Sequence, residues 1–406
     1  MKKYVQIALG IIAALGGFVD IGELVFNPQA GATFGYKTLW TEPVAVIGII
    51  VFSELSGRVA IVTGKANFDL VRERYPRWLS LVTLVSGLAV CLITLAAELG
   101  GLGLVLHYVL GWNPGFFTLI GLVLVVAASL LLPFDGIERV FGYLGLGLVV
   151  YAIAALHHGP AWHAIGAGLV PSGGTTQYWY FVVGLIAAGM MPYEIYFYSS
   201  GAIEEEWTED DLPVNAANTG IGYALGGLVA AALTIVAAQQ LLPLQISPQN
   251  LGTVLQQALR EVGPAGFYAA VIGAFFAIGG ATIDSAFSCA YNIAQEEKWP
   301  WGKKNGLRHA KLWTGSLLGA FAIGYAIVQT RIDPVGLTEY AVIASAVAMP
   351  LSFWPIVRTS QDREQMGRHV SGYLARPLAW IFFAVICVVA IAGPVLMVIT
   401  HMGKLT

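Results

Sequence analysis

About eleven apolar runs, separated by short polar segments, make up most of the chain. Most of the runs are close to 20 residues or longer, which is the length an α-helix needs to cross a bilayer. The pattern therefore predicts an all-α polytopic membrane protein in which residues 1–406 form one transmembrane domain. The predicted spans are 4–26, 39–56, 78–108, 115–132, 138–156, 177–200, 214–241, 264–293, 309–328, 337–357 and 374–400.

Polar residues interrupt two of these runs. Residues 20–23 read DIGE in the first run, and residues 188–194 read AGMMPYE in the sixth. A charged side chain near the bilayer centre costs about 2.5 to 3.5 kcal/mol on insertion scales, so acids there usually mark an ion or substrate pathway. Gly22 and Pro192 favour a break in the helix beside the acids. We predict that the first and sixth helices are broken and that a cation site lies between them.

The two interruptions also divide the chain into two similar halves. Spans one to five (about 4–156) and spans six to ten (about 177–357) each begin with a broken, acid-bearing helix. This arrangement predicts a 5+5 inverted repeat of the LeuT-like transporter type, with the eleventh span (about 374–400) at the periphery.

Composition supports an integral membrane protein and narrows its chemistry. The chain is 57% apolar and 11% charged, with a mean hydropathy of +0.72, whereas soluble domains are about 25% charged. The three cysteines lie in apolar runs without a C-x-x-C motif, so neither disulfides nor zinc are predicted. Residues 63–65 (TGK) lack the upstream glycine of a phosphate-binding loop. We find no nucleophile and base pairing either, so we expect neither an enzyme nor a bound cofactor nor a nucleic-acid partner.

Loop charges predict the orientation, because cytoplasmic loops of membrane proteins are rich in Lys and Arg. With the N-terminus in the cytoplasm, only Lys37, Arg260, Arg331 and Lys404 of the 21 Lys and Arg residues fall outside. An odd number of spans then places the C-terminus outside, and we expect a bacterial-type plasma membrane. The loop after the sixth span carries acids at 204–206 and 209–211. It is either a vestibule that attracts cations or an ordinary solvated loop.

Several motifs recur in a fixed order along the chain. They are DIGE at 20–23, QAGATFGYKTLW at 29–40, TGK at 63–65, RERYP at 72–76, AGMMPYE at 188–194, WPIVR at 354–358 and DREQMG at 362–367. In this order they resemble the motifs of the natural resistance-associated macrophage protein (NRAMP) family of divalent-metal transporters. The family has D-P-G-N, Q-A-G-x-x-F-G-Y-K-x-L-W, T-G-K, C-R-E-x-x-P, A-x-x-M-P-H-N, I-P-L-L-R and D-R-x-x-M-G at the matching places. The departures from those motifs indicate a divergent branch.

The resemblance implies a metal site built from Asp20, the carbonyl of Ala188 and the thioether of Met191. Glu23 stands at a substituted family position, and we infer from its chemistry that it is a further oxygen ligand. Glu194 joins the site if the unwound stretch turns it inward. Oxygen ligands suit Mg²⁺, Ca²⁺ and Mn²⁺, while a thioether shifts preference toward Mn²⁺ or Fe²⁺; the alternative role for Met191 is ordinary packing.

The departures predict weak or absent proton coupling. Tyr193 replaces the family histidine, and its reference pKa near 10 does not suit a proton relay at neutral pH. On the third span Leu95 stands where the family often has an acid, and only Glu98 of that pair remains. Glu98 either continues a polar pathway or is a structural residue. Asp284, beside Thr282, Ser285 and Ser288, is either part of a cation pathway or a structural hydrogen-bonding group.

Together these features predict a secondary transporter that moves a divalent metal ion, Mn²⁺ or Fe²⁺ in preference, across the lipid bilayer by alternating access. The first alternative is a Mg²⁺ transporter on the same fold. From a different class, an amino-acid or small organic-cation carrier is opposed by the excess of acids, which would repel a substrate carboxylate. A metal sensor without turnover is opposed by the absence of a stretch long enough for a soluble output domain.

Overall fold

The computed structural model describes residues 10–11, 18–248, 250–330 and 332–403. The part of the chain it describes is helical and contains no strand. Ten of its helical segments are long and apolar enough to span a membrane, and they match the ten predicted spans after the first. The predicted first span, 4–26, falls largely outside the described residues. So do Lys2, Lys3, Arg331 and Lys404, which entered the orientation argument.

The helices follow one another with short connections. We number those used below as α1 (Ile21–Phe34), α2 (Thr41–Thr63), α3 (Asn67–Arg74), α4 (Arg77–Leu110), α5 (Pro114–Leu131), α6 (Phe134–Gly145), α7 (Val150–His157), α8 (Trp162–Gly168), α9 (Thr176–Ala188), α10 (Pro192–Glu204), α11 (Leu212–Ala217) and α12 (Tyr223–Gln240). The remaining helices are α13 (Leu251–Glu296), α14 (Lys311–Val328), α15 (Pro334–Ser360), α16 (Arg363–Met366) and α17 (Ala375–Ile399).

The helix that follows the first break extends further than predicted. The predicted span ended at residue 26, before the polar residues Asn27 and Gln29, but α1 continues to Phe34. Asn27 is only 1% exposed, and its side-chain oxygen accepts a hydrogen bond of 3.0 Å from Thr234 of α12. Burying a polar group is tolerated when it is hydrogen-bonded. A partner more than 200 residues away therefore lets α1 remain inside the protein.

A helical stretch precedes the predicted start of the eighth span at 264. Helix α13 extends from Leu251, but Gly263 inside it is non-helical, with φ 76° and ψ −164°. A positive φ of this size is readily adopted only by glycine. A kink at Gly263 therefore separates the stretch 251–262 from the helix that begins at Pro264, where the predicted span starts.

The break in the sixth span is confirmed. Helix α9 ends at Ala188, Gly189 to Met191 are not helical, and α10 begins with Pro192 at its first position. Proline is tolerated there because the first N–H groups of a helix have no partner within the helix. The two halves occupy the centre of the molecule, since 94% of the residues in an 18-residue apolar stretch of this span are buried. In the corresponding stretch of α17 only 22% of the residues are buried, which agrees with the peripheral position predicted for the eleventh span.

Candidate metal site

The first break places two buried carboxylates at the start of α1. Asp20 is the N-cap residue, and one of its oxygens, Oδ1, accepts the N–H of Gly22. Glu23 accepts the N–H of Asp20 at 3.3 Å, which completes a capping box. Asp20 is fully buried and Glu23 is 2% exposed. Because the N-terminus of a helix carries partial positive charge, its position offsets part of the cost of burying these two acids.

The second break supplies a backbone oxygen and a sulfur. In a continuous helix the carbonyl of Ala188 would accept the N–H of residue 192, but Pro192 has none. The C-terminus of a helix carries partial negative charge, so the end of α9 attracts a cation. Met191 is the N-cap residue of α10 and is 1% exposed. Both groups are chemically suited to the roles predicted for them.

The two breaks lie against each other. A methyl group on Gly22 would come within 3.4 Å of Ala188 Cβ, so a larger residue at position 22 would press on the end of α9. Across the same contact the hydroxyl of Tyr193 donates a hydrogen bond of 2.7 Å to Oδ2 of Asp20. The structure thus brings Asp20 and Glu23 together with Ala188 and Tyr193, which lie more than 160 positions further along the chain.

The two adjacent methionines have different surroundings. The sulfur of Met190 packs against Gly48 of α2, where even an added methyl group would overlap it. This packing assigns Met190 to the contact between α2 and the sixth span. It leaves Met191 as the methionine available to a site between the two breaks.

Glu194 lies in the first turn of α10, directly after these groups. It is 8% exposed, and its Oε2 has no hydrogen-bond partner among the described residues. It interacts electrostatically with Asp20 and Glu23, and it also lines a cavity of about 820 Å³. Within the described ranges, no three His, Cys, Asp or Glu side chains converge closely enough to hold a metal ion. Asp20, Glu23 and Glu194 therefore do not form a ready-made carboxylate cage, and a bound ion would also need the carbonyl and the thioether.

The third span contains one buried acid and one apolar replacement. Glu98 of α4 is fully buried, and neither of its carboxylate oxygens has a hydrogen-bond partner in the described structure. Leu95, one turn earlier, is also fully buried. A methyl group on Gly324 of α14 would lie 2.8 Å from Leu95 Cγ. Leu95 therefore fills a contact between helices, and the position carries no polar group.

The polar cluster predicted around Asp284 is divided by the structure. Thr282 donates to the carbonyl of Ile278 in its own helix at 2.6 Å, and Ser288 donates to the carbonyl of Tyr193 at 2.9 Å. Asp284 is half-buried and lines the same cavity as Glu194. The cavity also includes Glu138, which the sequence analysis did not single out, because an acid near the predicted start of a span beside Arg139 resembles an ordinary interfacial residue.

Comparison with known proteins agrees with this architecture. The family model described as natural resistance-associated macrophage protein-like matches residues 10–395. The chain is 27% identical to the divalent metal cation transporter MntH 1 of Pseudomonas aeruginosa, over 93% of this chain and 88% of that protein. It is 25% identical to MntH of Deinococcus radiodurans, over 93% of this chain and 86% of that protein.

Solved structures show the same fold. A manganese transporter of Eremococcus coleocola superposes with a TM-score of 0.76 at 18% identity, covering 99% of this chain and 88% of that one. The transporter MhsT, solved with L-phenylalanine, gives a TM-score of 0.64 at 17% identity, covering 95% and 98%. The predicted LeuT-like fold is thereby confirmed. With the family model matching nearly the whole length, this integral membrane protein belongs to the natural resistance-associated macrophage protein-like (Nramp) family.

Proposed function

We propose that this protein is a secondary transporter that carries a divalent metal ion by alternating access around the two broken helices. The observation that carries the proposal is the contact between the breaks. At this contact the buried acids Asp20 and Glu23, at the start of α1, face the carbonyl end of α9. Met191 lies beside them at the start of α10. Relatives named divalent metal cation transporters support it.

Met191 favours Mn²⁺ or Fe²⁺ as the ion. A thioether is a soft ligand that a hard ion such as Mg²⁺ does not use, whereas the carboxylates bind either kind of ion. Mg²⁺ is the alternative, since the additional charge of Glu23 strengthens the attraction for a strongly hydrated ion. An amino-acid substrate is disfavoured, because the N-terminus of α1 that would receive its carboxylate is already capped by Asp20.

Orientation and coupling belong to the same proposal. With the N-terminus in the cytoplasm, the 820 Å³ cavity faces the cytoplasm, because Lys303, Lys304 and the acids at 204 and 205 line it. Proton coupling is weak or absent. Tyr193 holds the hydroxyl proton toward Asp20, and Leu95 supplies no carboxylate next to Glu98.

Uptake into proteoliposomes tests the proposal, with Mn²⁺ as the transported ion and Mg²⁺ as the competitor. We expect Mn²⁺ uptake by the unaltered protein and at least a tenfold rise in its KM for Met191→Ala, with little change in the inhibition by Mg²⁺. Met190→Ala is the matched control, since it removes a neighbouring thioether that packs on α2. Equal effects of the two substitutions would reject Met191 as a ligand. Absence of uptake of either ion would reject metal transport.

A further inference from the structure

The large cavity is walled by α6, α10 and α13 and reaches from Glu194 to the loop that follows α10. Seven acids line it, namely Asp135, Glu138, Glu194, Glu204, Glu205, Asp211 and Asp284. Acidic residues that line a cavity are commonly neutralised by nearby hydrogen-bond or ion-pair partners. The acids that could bind a cation are therefore those without such a partner.

Four of the seven acids have partners within the described structure. Asp135 forms an ion pair of 3.0 Å with Arg139, Glu204 accepts the hydroxyl of Tyr291 at 2.9 Å, Glu205 accepts the indole N–H of Trp207 at 2.6 Å, and Asp211 accepts the N–H of Thr208 at 3.0 Å. These contacts hold the loop and the helix ends together. They assign the four acids a structural role.

Glu138, Glu194 and Asp284 differ from these four. None of their side chains makes a hydrogen bond or ion pair with another described residue, and Glu194 is more than nine-tenths buried with Oε2 directed at no donor. The basic residues on the same wall are already engaged. Arg139 pairs with Asp135 and Lys304 with Glu206, while Lys303 donates to the carbonyls of Ser129 and Leu132. Three carboxylates therefore border one cavity without forming an ion pair with a described residue.

The packing of α6 on α13 places Glu138 opposite Asp284. A methyl group on Gly280 would lie 3.3 Å from Phe141 Cβ, whereas one on Gly273 would meet Leu148. Leu148 lies in the helical turn that directly continues α6. Residue numbers therefore rise along α6 as they fall along α13, so the two helices are antiparallel. Moving one turn from the Phe141 contact brings Glu138 level with Asp284. Glu138 interacts electrostatically with Glu205 and with Asp284.

We propose that Glu138 and Asp284 form a second, inner cation site that holds a hydrated divalent ion between the cavity mouth and the midplane site. The proposal rests on the transport function proposed above. Glu194 lies in the first turn of α10, directly after the midplane groups, and lines the same cavity as Glu138 and Asp284, so it borders both sites. Small divalent ions such as Mg²⁺ retain several waters and bind through one or two carboxylates. Two acids in a cavity of 820 Å³ suit an ion bound in this manner, even though no three acids converge.

The inner site differs from the midplane site in its ligands. It offers only carboxylate oxygens and water, and no sulfur, so it should not distinguish Mn²⁺ from Mg²⁺. The ion would therefore be selected at the midplane and held without selection at the inner site.

Equilibrium Mn²⁺ binding to the purified full-length protein tests this, with the free ion measured by electron paramagnetic resonance. We expect two bound ions per chain in the unaltered protein and one in Glu138→Gln/Asp284→Asn. We expect one again in Asp20→Asn and none when all three substitutions are combined. Excess Mg²⁺ should displace the ion that remains in Asp20→Asn but not the one that remains in Glu138→Gln/Asp284→Asn. Asp211→Asn, which alters a partnered acid of the same wall, should keep both ions.

Retention of the midplane ion in the Glu138→Gln/Asp284→Asn variant also shows that this variant is folded. Two ions in that variant, or a single ion in the unaltered protein, would overturn the inner site. The readout does not need turnover. An inner ion bound by a protein that transports no metal would reject the proposed function and leave this site standing.

Discussion

The hydroxyl of Tyr193 donates a hydrogen bond of 2.7 Å to Oδ2 of Asp20, and this bond joins the two broken helices. Both residues are almost completely buried. Since the N–H of Gly22 occupies the other carboxylate oxygen, Asp20 is held in one orientation from two directions. An ion that binds Asp20 through Oδ2 must either share that oxygen with the phenol or displace the phenol.

Tyr193→Phe should therefore lower the stability of the metal-free protein and increase the stabilisation produced by metal. A buried acceptor left without its donor costs about 1–3 kcal/mol, and a bound cation would satisfy it. We expect a lower Tm without metal and a larger rise in Tm on adding Mn²⁺. Tyr196→Phe is the matched control, because the hydroxyl of Tyr196 bonds to Ser352. It should lower Tm without changing the response to Mn²⁺, and an identical response in both variants would separate Tyr193 from the metal site.

Glu23→Gln should separate the charge of this residue from its role as a helix cap. The amide oxygen of glutamine can still accept the N–H of Asp20, so the start of α1 is preserved while one negative charge is removed. We expect a reduction in affinity for both ions that is larger for Mg²⁺, because Mn²⁺ retains the thioether of Met191. Competition between the two ions in the uptake assay measures the ratio. Unchanged affinity for both ions would show that Glu23 serves only as a cap.

Metal uptake should proceed without stoichiometric proton movement. No group at position 95 or 193 exchanges a proton near neutral pH, since one is an alkyl side chain and the other a phenol. A pH-sensitive dye inside proteoliposomes should report little acidification during Mn²⁺ uptake driven by the metal gradient and membrane potential. Robust metal-driven acidification would contradict this and would direct attention to Glu98.

Asp69 lies outside the membrane-spanning segments, and it should make the stability of the folded protein depend on pH. Burial raises the pKa of this carboxyl from 3.8 to about 6, although the N–H of Ala66 acts in the opposite direction. A raised pKa means that the folded protein binds the proton more tightly. The resulting stability is complete below pH 3.8 and is lost as pH rises through about 6. The difference is at most about 3 kcal/mol.

Thermal unfolding of the purified protein between pH 4 and pH 7 measures this effect. Asp69→Asn should remove the corresponding part of the pH dependence while keeping a side-chain oxygen for Ala66. Asp362→Asn is a useful contrast. The Arg74 guanidinium lowers the pKa of Asp362 from 3.8, so its contribution is lost only below that pH, and this substitution should leave the dependence between pH 4 and pH 7 unchanged. If Asp69→Asn and the unaltered protein respond equally to pH, Asp69 does not titrate in this range.

The sequence alone determined the ten spans after the first and the break in the sixth span, and it identified the candidate ligands that stay predictions. These features are local: the length of an apolar run predicts a membrane helix, and Pro192 removes a hydrogen bond wherever the segment lies in the molecule. A buried acid is costly in lipid irrespective of its partners, so Asp20 and Glu23 could be recognised as functional candidates from their positions in the chain.

Only the tertiary structure decided what each of these groups contacts. Thr234 allows α1 to extend past Asn27, Gly48 takes the sulfur of Met190, and Tyr193 reaches Asp20. The pairing of Glu138 with Asp284 likewise depends on the register of α6 against α13. Hydrogen bonds and packing between residues far apart in the chain depend on how the helices approach one another. The spacing of residues along a single helix does not determine that geometry.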